Sequence, residues 1–270
     1  MSSTQILILL ASAFLLGAII GSFLNVCIYR IPAGESVVAP RSRCPHCQTP
    51  IRWYHNLPVL SWVLLRGRCA YCRAPFSVRY PLIEALTGLL FALFLYRFGL
   101  HPATLAAWLL VATLVTITFI DIDHQIIPDV ISLPGIPIGF LCSFAFPWVS
   151  WQSSLLGMLL GGGVLLAIAL GYEWLTGQEG MGFGDVKLLA MLGAFLGAPA
   201  ILPVIFLASV MGTLVGVPLM LVKRAGRRLA LPFGPFLAAA ALVYLYFVAT
   251  IEPVARWYGE ALVFWWRSLF

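Results

Sequence analysis

The sequence predicts an all-α polytopic membrane protein, with about eight transmembrane helices and a small cytoplasmic zinc-binding loop domain between the first two. Three observations lead there. Of the 270 residues, 61% are hydrophobic and only 10% charged, and the mean hydropathy is +0.99, outside the range of a water-soluble domain. Apolar runs recur at 5–29, 82–98, 103–120, 130–147, 153–175, 186–200, 201–222 and 232–250, near the length a bilayer requires. The sixth run is short and merges with the seventh through Gly197 to Pro203. The basic residues are also one-sided: eight of the 16 lie between Arg30 and Arg79, with Lys187 and the cluster Lys223, Arg224, Arg227 and Arg228 on the same side by alternation. Only Arg97, Arg256 and Arg267 fall opposite. The positive-inside rule then makes the 30–80 loop cytoplasmic, and it accounts for the net charge of +6 without invoking nucleic acid as a partner.

The first run is too long for a signal peptide and has no small-residue cleavage site where one is expected, so it reads as a retained helix. Gly17 and Gly21 within it form a G-x-x-x-G face for close helix packing, and Asn25 reads as an interhelical hydrogen bonder. The loop that follows has about fifty residues, too few for a self-supporting core without a staple. Cys44-Pro-His-Cys47 and Cys69-Ala-Tyr-Cys72 supply one, as two C-x2-C pairs spaced like the knuckles of a tetrahedral four-cysteine zinc site. Two disulfides or a redox pair are the alternatives, and a loop facing the reducing cytoplasm disfavours both. Four thiolates close the coordination sphere, which makes the metal structural and leaves His46 a bystander. Cys27 and Cys142 read as small buried hydrophobes.

Glu84 enters the membrane at the start of the second run, where pairing with a loop arginine and a functional role are both open. The third run ends in Asp121-Ile-Asp123-His124-Gln-Ile-Ile-Pro-Asp129, a carboxylate at the end of a spanning helix. Glycines 157, 161, 162 and 163 predict tight contacts in the fifth run. Gly180-Met181-Gly182-Phe183-Gly184-Asp185-Val186-Lys187 then sets glycines and another carboxylate ahead of an apolar run. Read alone, Asp185 could simply cap a helix beginning near Val186. Pro232-Phe-Gly-Pro235 reads as a kinked entry to the last run, and Trp257, Tyr258, Trp265, Trp266 and Arg267 mark an interfacial aromatic tail.

By the same topology the two aspartate stretches share the cytoplasmic face. Two carboxylates brought to one partly dry site share a proton, the arrangement of an aspartic protease: one activates a water while the other, protonated, polarises the scissile carbonyl. Competing signatures are absent: the chain has no H-E-x-x-H, no G-x-S-x-G and no P-loop lysine motif. Asp123, Asp129 and Lys187 flank the pair; polar groups at helix ends that neutralise one another are the plainer alternative for the three, and the reading favoured for Asp123. Six of the ten acidic residues (Asp121, Asp123, Asp129, Glu173, Glu179 and Asp185) lie on or near that face, a setting that attracts a basic peptide.

These motifs resemble those of the type IV prepilin peptidases, intramembrane aspartic peptidases with a GxGD signature. Asp121 through Asp129 and Gly182-Phe-Gly-Asp185-Val-Lys187 match the paired peptidase motif. Gly21-Ser-Phe-Leu-Asn-Val, the two cysteine knuckles and Arg79-Tyr-Pro-Leu-Ile-Glu84 resemble the domain that bacterial members carry ahead of it, so the likeness runs from about residue 15 to about 236. The resemblance implies Asp121 and Asp185 as the catalytic pair, prepilins or pseudopilins as substrates, and removal of a short basic leader after a glycine at the cytoplasmic face of the inner membrane. It also implies methylation of the new N-terminal residue by S-adenosylmethionine, although no methyl-donor fingerprint is recognisable and the donor's residues are unassigned. The implied organisation is 1–100 as a methyltransferase-associated membrane segment with the four-cysteine loop (30–80), 101–250 as the peptidase membrane core, and 251–270 as the tail. Lipid is the remaining expected partner. An ion transporter using the carboxylates as ligands and a non-catalytic assembly scaffold are the other classes; cation flux in proteoliposomes and pilus assembly after carboxylate replacement discriminate them.

Overall fold

The structure is a computed structural model that describes residues 2–177, 182–223 and 231–248. Glu179, Gly180, Met181, Arg224, Arg227, Arg228 and the aromatic tail 251–270 lie outside the described residues. Among the described residues there is no strand, and the α-helices are α1 (Ser3–Arg30), the short α2 (Leu60–Leu64), α3 (Arg79–Phe98), α4 (Pro102–His124), α5 (Asp129–Ser143), α6 (Trp151–Thr176), α7 (Phe183–Leu196), α8 (Ile201–Lys223) and α9 (Gly234–Val248). Each of the eight apolar runs holds a helix. Five of them, α1, α3, α4, α6 and α8 with the turn before it, are long and apolar enough to cross a membrane. α5 and α7 are apolar but only 15 and 14 residues long.

The ends of the helices depart from the hydropathy pattern for local reasons. α4 continues past Ile120 to His124, so Asp121 and Asp123 belong to its last turn, and Gln125 in the left-handed region closes it by donating to the Asp121 carbonyl. α5 stops at Ser143, short of 147, where the chain approaches Pro147 through tight turns. α7 and α8 do not merge. Gly197 adopts φ +80°, a region that favours glycine, and Ala198–Ala200 forms a 3-10 turn before α8 begins.

The chain divides into two compact units, 1–134 with 230–235 and the remainder. In the first, α1 and α3 meet backbone to backbone: a β-carbon on Gly17 would stand 2.8 Å from Gly88 Cα, and one on Gly21 2.8 Å from Glu84 Cα. Asn25 bridges the pair by donating to the Tyr80 carbonyl at 3.2 Å, in addition to its own helix at Gly21. α3 docks on α4 through Phe91 and Trp108, whose rings stack at 4.8 Å while the indole N–H donates to the Phe91 carbonyl. α4 is buried along Leu110, Val111, Leu114, Ile117 and Ile120.

In the second unit the same device joins α6 to α7. A β-carbon on Gly157 or Gly161 would run into the backbone of α7 at Gly193 and Leu189. That proximity lets the buried Ser154 hydroxyl donate across to the Ala194 carbonyl at 2.6 Å, and Ser153 Oγ accept from the Ala198 amide. Gly162 is less crowded and Gly163 has nothing within 4 Å, so the predicted contact holds for Gly157 and Gly161 and not for Gly163. Leu159, Leu202, Phe206 and Leu214 remain exposed on α6 and α8, as side chains facing lipid would.

Candidate active site and metal centre

The cysteine loop is built from one local design used twice. In each knuckle the residue before the first cysteine bridges to a proline seven residues on, Arg43 with Pro50 and Arg68 with Pro75. The first cysteine's amide donates to the residue five on, Thr49 or Ala74, and its carbonyl accepts from the residue four on. That fourth residue takes a left-handed conformation both times, Gln48 at φ 57° and Arg73 at φ 62°, which folds the C-x2-C segment around its two sulfurs. The two knuckles bring Cys44, Cys47, Cys69 and Cys72 together with all four Sγ atoms within 4.8 Å of one another. Cys44 and Cys72 are 3.8 Å apart at sulfur. A tetrahedral site with zinc to sulfur bonds of about 2.3 Å has an edge of about 3.8 Å, so the donor set fits zinc.

The thiols respond to this crowding. Hydrogen bonds from Thr49 draw Cys47 down to about 6. The Ala74 amide also acts to lower Cys72, but desolvation and the sulfurs of Cys47, Cys69 and Cys44 override it and push it up to about 11. Four thiols this close cannot all ionise without a cation among them, which is the electrostatic condition for binding one. No cysteine is in a disulfide among the described residues. His46 is exposed and stands outside the group.

Asp121 is buried at 5% exposure in the last turn of α4, the negative end of a helix, where a carboxylate is disfavoured on both counts. One compensation is a backbone donor: the Gly234 amide gives a hydrogen bond to Asp121 Oδ2 at 3.0 Å. A β-carbon at residue 234 would sit 2.6 Å from that oxygen, so only glycine allows the amide to come this close. The segment Pro232 to Pro235, expected to be a kinked entry, thus carries a second task that the sequence reading missed. A glycine between two prolines was its only signal.

Asp123, two residues on, is exposed and forms an ion pair of 2.7 Å with Arg79, whose guanidinium also donates to the Phe119 carbonyl and lies over the Phe119 ring. Its neutralising partner is this arginine, the first residue of α3 at the end of the cysteine loop. Asp129 opens α5. Asp185 belongs to the second unit and lies in the first turn of α7, half-buried. The cap of that helix is Gly182, so Asp185 is a third-position residue and not the N-cap; its charge suits the positive helix end either way. Glu84 is buried, and its carboxylate accepts from the Val59 amide at 2.7 Å, so its loop partner among the described residues is a backbone amide and not an arginine.

Comparison with known proteins adds the following. Residues 15–98 match the model of the bacterial peptidase A24 N-terminal domain, and residues 108–217 that of the type IV leader peptidase family. Over 269 residues the chain is 39% identical to a prepilin leader peptidase/N-methyltransferase of Aeromonas hydrophila, covering 91% of this chain and 92% of that one. It is 38% identical over 270 residues to the protein of the same description from Neisseria gonorrhoeae, covering 91% and 93%. With that of Myxococcus xanthus it shares 45% over 218 residues, 80% of this chain and 64% of the other. No solved structure gives a significant match.

Proposed function

Because this chain belongs to the type IV leader peptidase family, we propose that it removes the basic leader from type IV prepilins or pseudopilins with an aspartate pair, Asp121 and Asp185, and then N-methylates the new N-terminal residue. The observation that carries the peptidase reading is the buried Asp121 carboxylate, held by a backbone amide at a position where a carboxylate is otherwise costly. A carboxylate kept there at such expense is a functional group by default. In the proposed mechanism one aspartate takes a proton from water as it attacks the scissile carbonyl, and the other, protonated, donates to the carbonyl oxygen and later to the leaving amine. The Gly234 amide fixes the rotamer of Asp121 and lowers the cost of its charge.

The same reading makes the protein a multi-pass component of the inner membrane with eight crossings, and puts the cysteine loop and both aspartates at the cytoplasmic face, in keeping with the one-sided basic residues. Its peptidase core is 101–250, and the segment 1–100 serves methylation. Zinc, held by Cys44, Cys47, Cys69 and Cys72, closes the loop and takes no part in chemistry. S-adenosylmethionine, when bound, would supply an electrophilic methyl group to the pilin amine, which would give up a proton while the donor left as the neutral thioether. Incubating the purified protein with a prepilin and S-adenosylmethionine, and following the product by mass, tests both steps. Loss of the leader followed by a gain of one methyl group is the expected result; an intact prepilin defeats the reading.

A further inference from the structure

The first unit contains a cavity of about 530 Å³ between the end of α1, the cysteine loop and the start of α3, a volume suited to one small organic molecule. None of the roles assigned so far uses it. Its lining combines aromatic rings (Trp62, Tyr71, Phe76 and Tyr80) with the buried carboxylate of Glu84, an unusual set for a space that only needs filling. Glu84 is the one buried carboxylate that lines it, and the Val59 amide holds it in place. His55 lines the same cavity, and its Nδ1 is buried without a hydrogen-bond partner. An orphaned polar atom in a cavity of this size is a place for a ligand to bond. Cys44 and Cys69 contribute to the wall, so the metal-closed knuckles give the space its shape.

We propose that this cavity is the S-adenosylmethionine site, an assignment that rests on the methyl-transfer reading above. The donor joins a flat aromatic base to a sulfonium cation. Aromatic rings accept the base by stacking and favour the cation through their faces, and the Glu84 carboxylate supplies the opposing charge. His55 Nδ1 offers a hydrogen bond to the polar part of the nucleoside. The exposed guanidinium groups of Arg43 and Arg68, which also line the cavity, suit the donor's carboxylate.

The test measures binding and not turnover, on the full-length zinc-loaded protein in nanodiscs. Titration with S-adenosylmethionine and with its neutral product S-adenosylhomocysteine separates the sulfonium charge from the rest of the molecule. Glu84→Gln keeps an acceptor for the Val59 amide, and should weaken the cationic donor by about tenfold or more while leaving the neutral product within about threefold. His55→Phe keeps a ring and should weaken both. Ultraviolet cross-linking of labelled donor to the unmodified protein should mark a peptide within residues 25–84, which keeps the test valid if a variant loses its metal. Parent-level affinity for the donor in both variants, or a cross-link elsewhere in a protein that binds and methylates, overturns the site alone. A protein that neither binds the donor nor methylates a pre-cut pilin peptide overturns the methyl-transfer reading, and this site with it.

Discussion

The Gly234 amide donates to Asp121 Oδ2 at 3.0 Å, and the α-carbon behind it carries no side chain where a β-carbon would lie 2.6 Å from that oxygen. Gly234→Ala therefore cannot keep both the hydrogen bond and the carboxylate position. We expect cleavage to fall by roughly 10²-fold, the penalty for a misplacement on the order of 1 Å, carried by kcat with KM little changed. Steady-state cleavage of a prepilin by the variant checks this. Parent-level kcat would remove Gly234 from any positioning role.

That contact also shows where the sequence stops informing. The partners are 113 residues apart, and one of them is a backbone N–H, which every residue but proline has, so no side-chain pattern advertises it. The Glu84 bond to the Val59 amide is silent in the sequence for the same reason, since the pattern there advertises only the loop arginines as partners. Gly17, Gly21, Gly157 and Gly161 were legible, because a contact between helix backbones needs small residues at helical spacing. The cysteine knuckles were legible because both the spacing and the fold that produces it are local. Helix ends were legible only approximately: hydropathy follows the lipid and says nothing of Gly197 turning left-handed or of α4 carrying Asp121 inside its last turn.

The two knuckles close one site, so any single substitution among Cys44, Cys47, Cys69 and Cys72 by serine should release the metal and loosen the loop to a similar degree. Metal content by mass spectrometry and protease sensitivity of the 30–80 loop measure it. Acid should act in the same direction. Hydrogen bonds from Thr49 already draw the Cys47 thiol down to about 6 without metal, and zinc binding lowers thiol protonation further, so release by protons belongs to pH values below that. Chain isolated without zinc contradicts the structural-metal assignment.

At the contact of α6 with α7 a substituent on Gly193 would meet the backbone of Gly157, and neither helix can yield without moving as a whole. Gly193→Ala should cost on the order of 1–3 kcal/mol through overpacking. Gly163→Ala, with nothing within 4 Å of its new methyl group, should be neutral or slightly stabilising through helix propensity. Thermal unfolding of both variants in the same detergent provides the comparison. Equal behaviour would mean that the close approach is not what holds these helices together.

The three aspartates separate the catalytic assignment from its neighbours. Asparagine is nearly isosteric with aspartate but cannot exchange the proton, so Asp121→Asn and Asp185→Asn should each lower cleavage by about 10²-fold or more without affecting membrane insertion. The buried Asp121 keeps a bond to Gly234 through the amide oxygen, which makes the loss chemical and not structural. Because the pair acts as a unit, the double variant should be no worse than either single one. Asp123→Asn removes only an ion pair with Arg79 whose side chains are 34% and 31% exposed, and Arg79 retains its bond to the Phe119 carbonyl. A pair that exposed contributes about 1 kcal/mol at most, so this variant should fold and cleave at a substantial fraction of the parent rate. A dead Asp123→Asn beside an active Asp121→Asn would move the dyad by one pair of residues along α4, and normal cleavage by all three variants would end the peptidase reading.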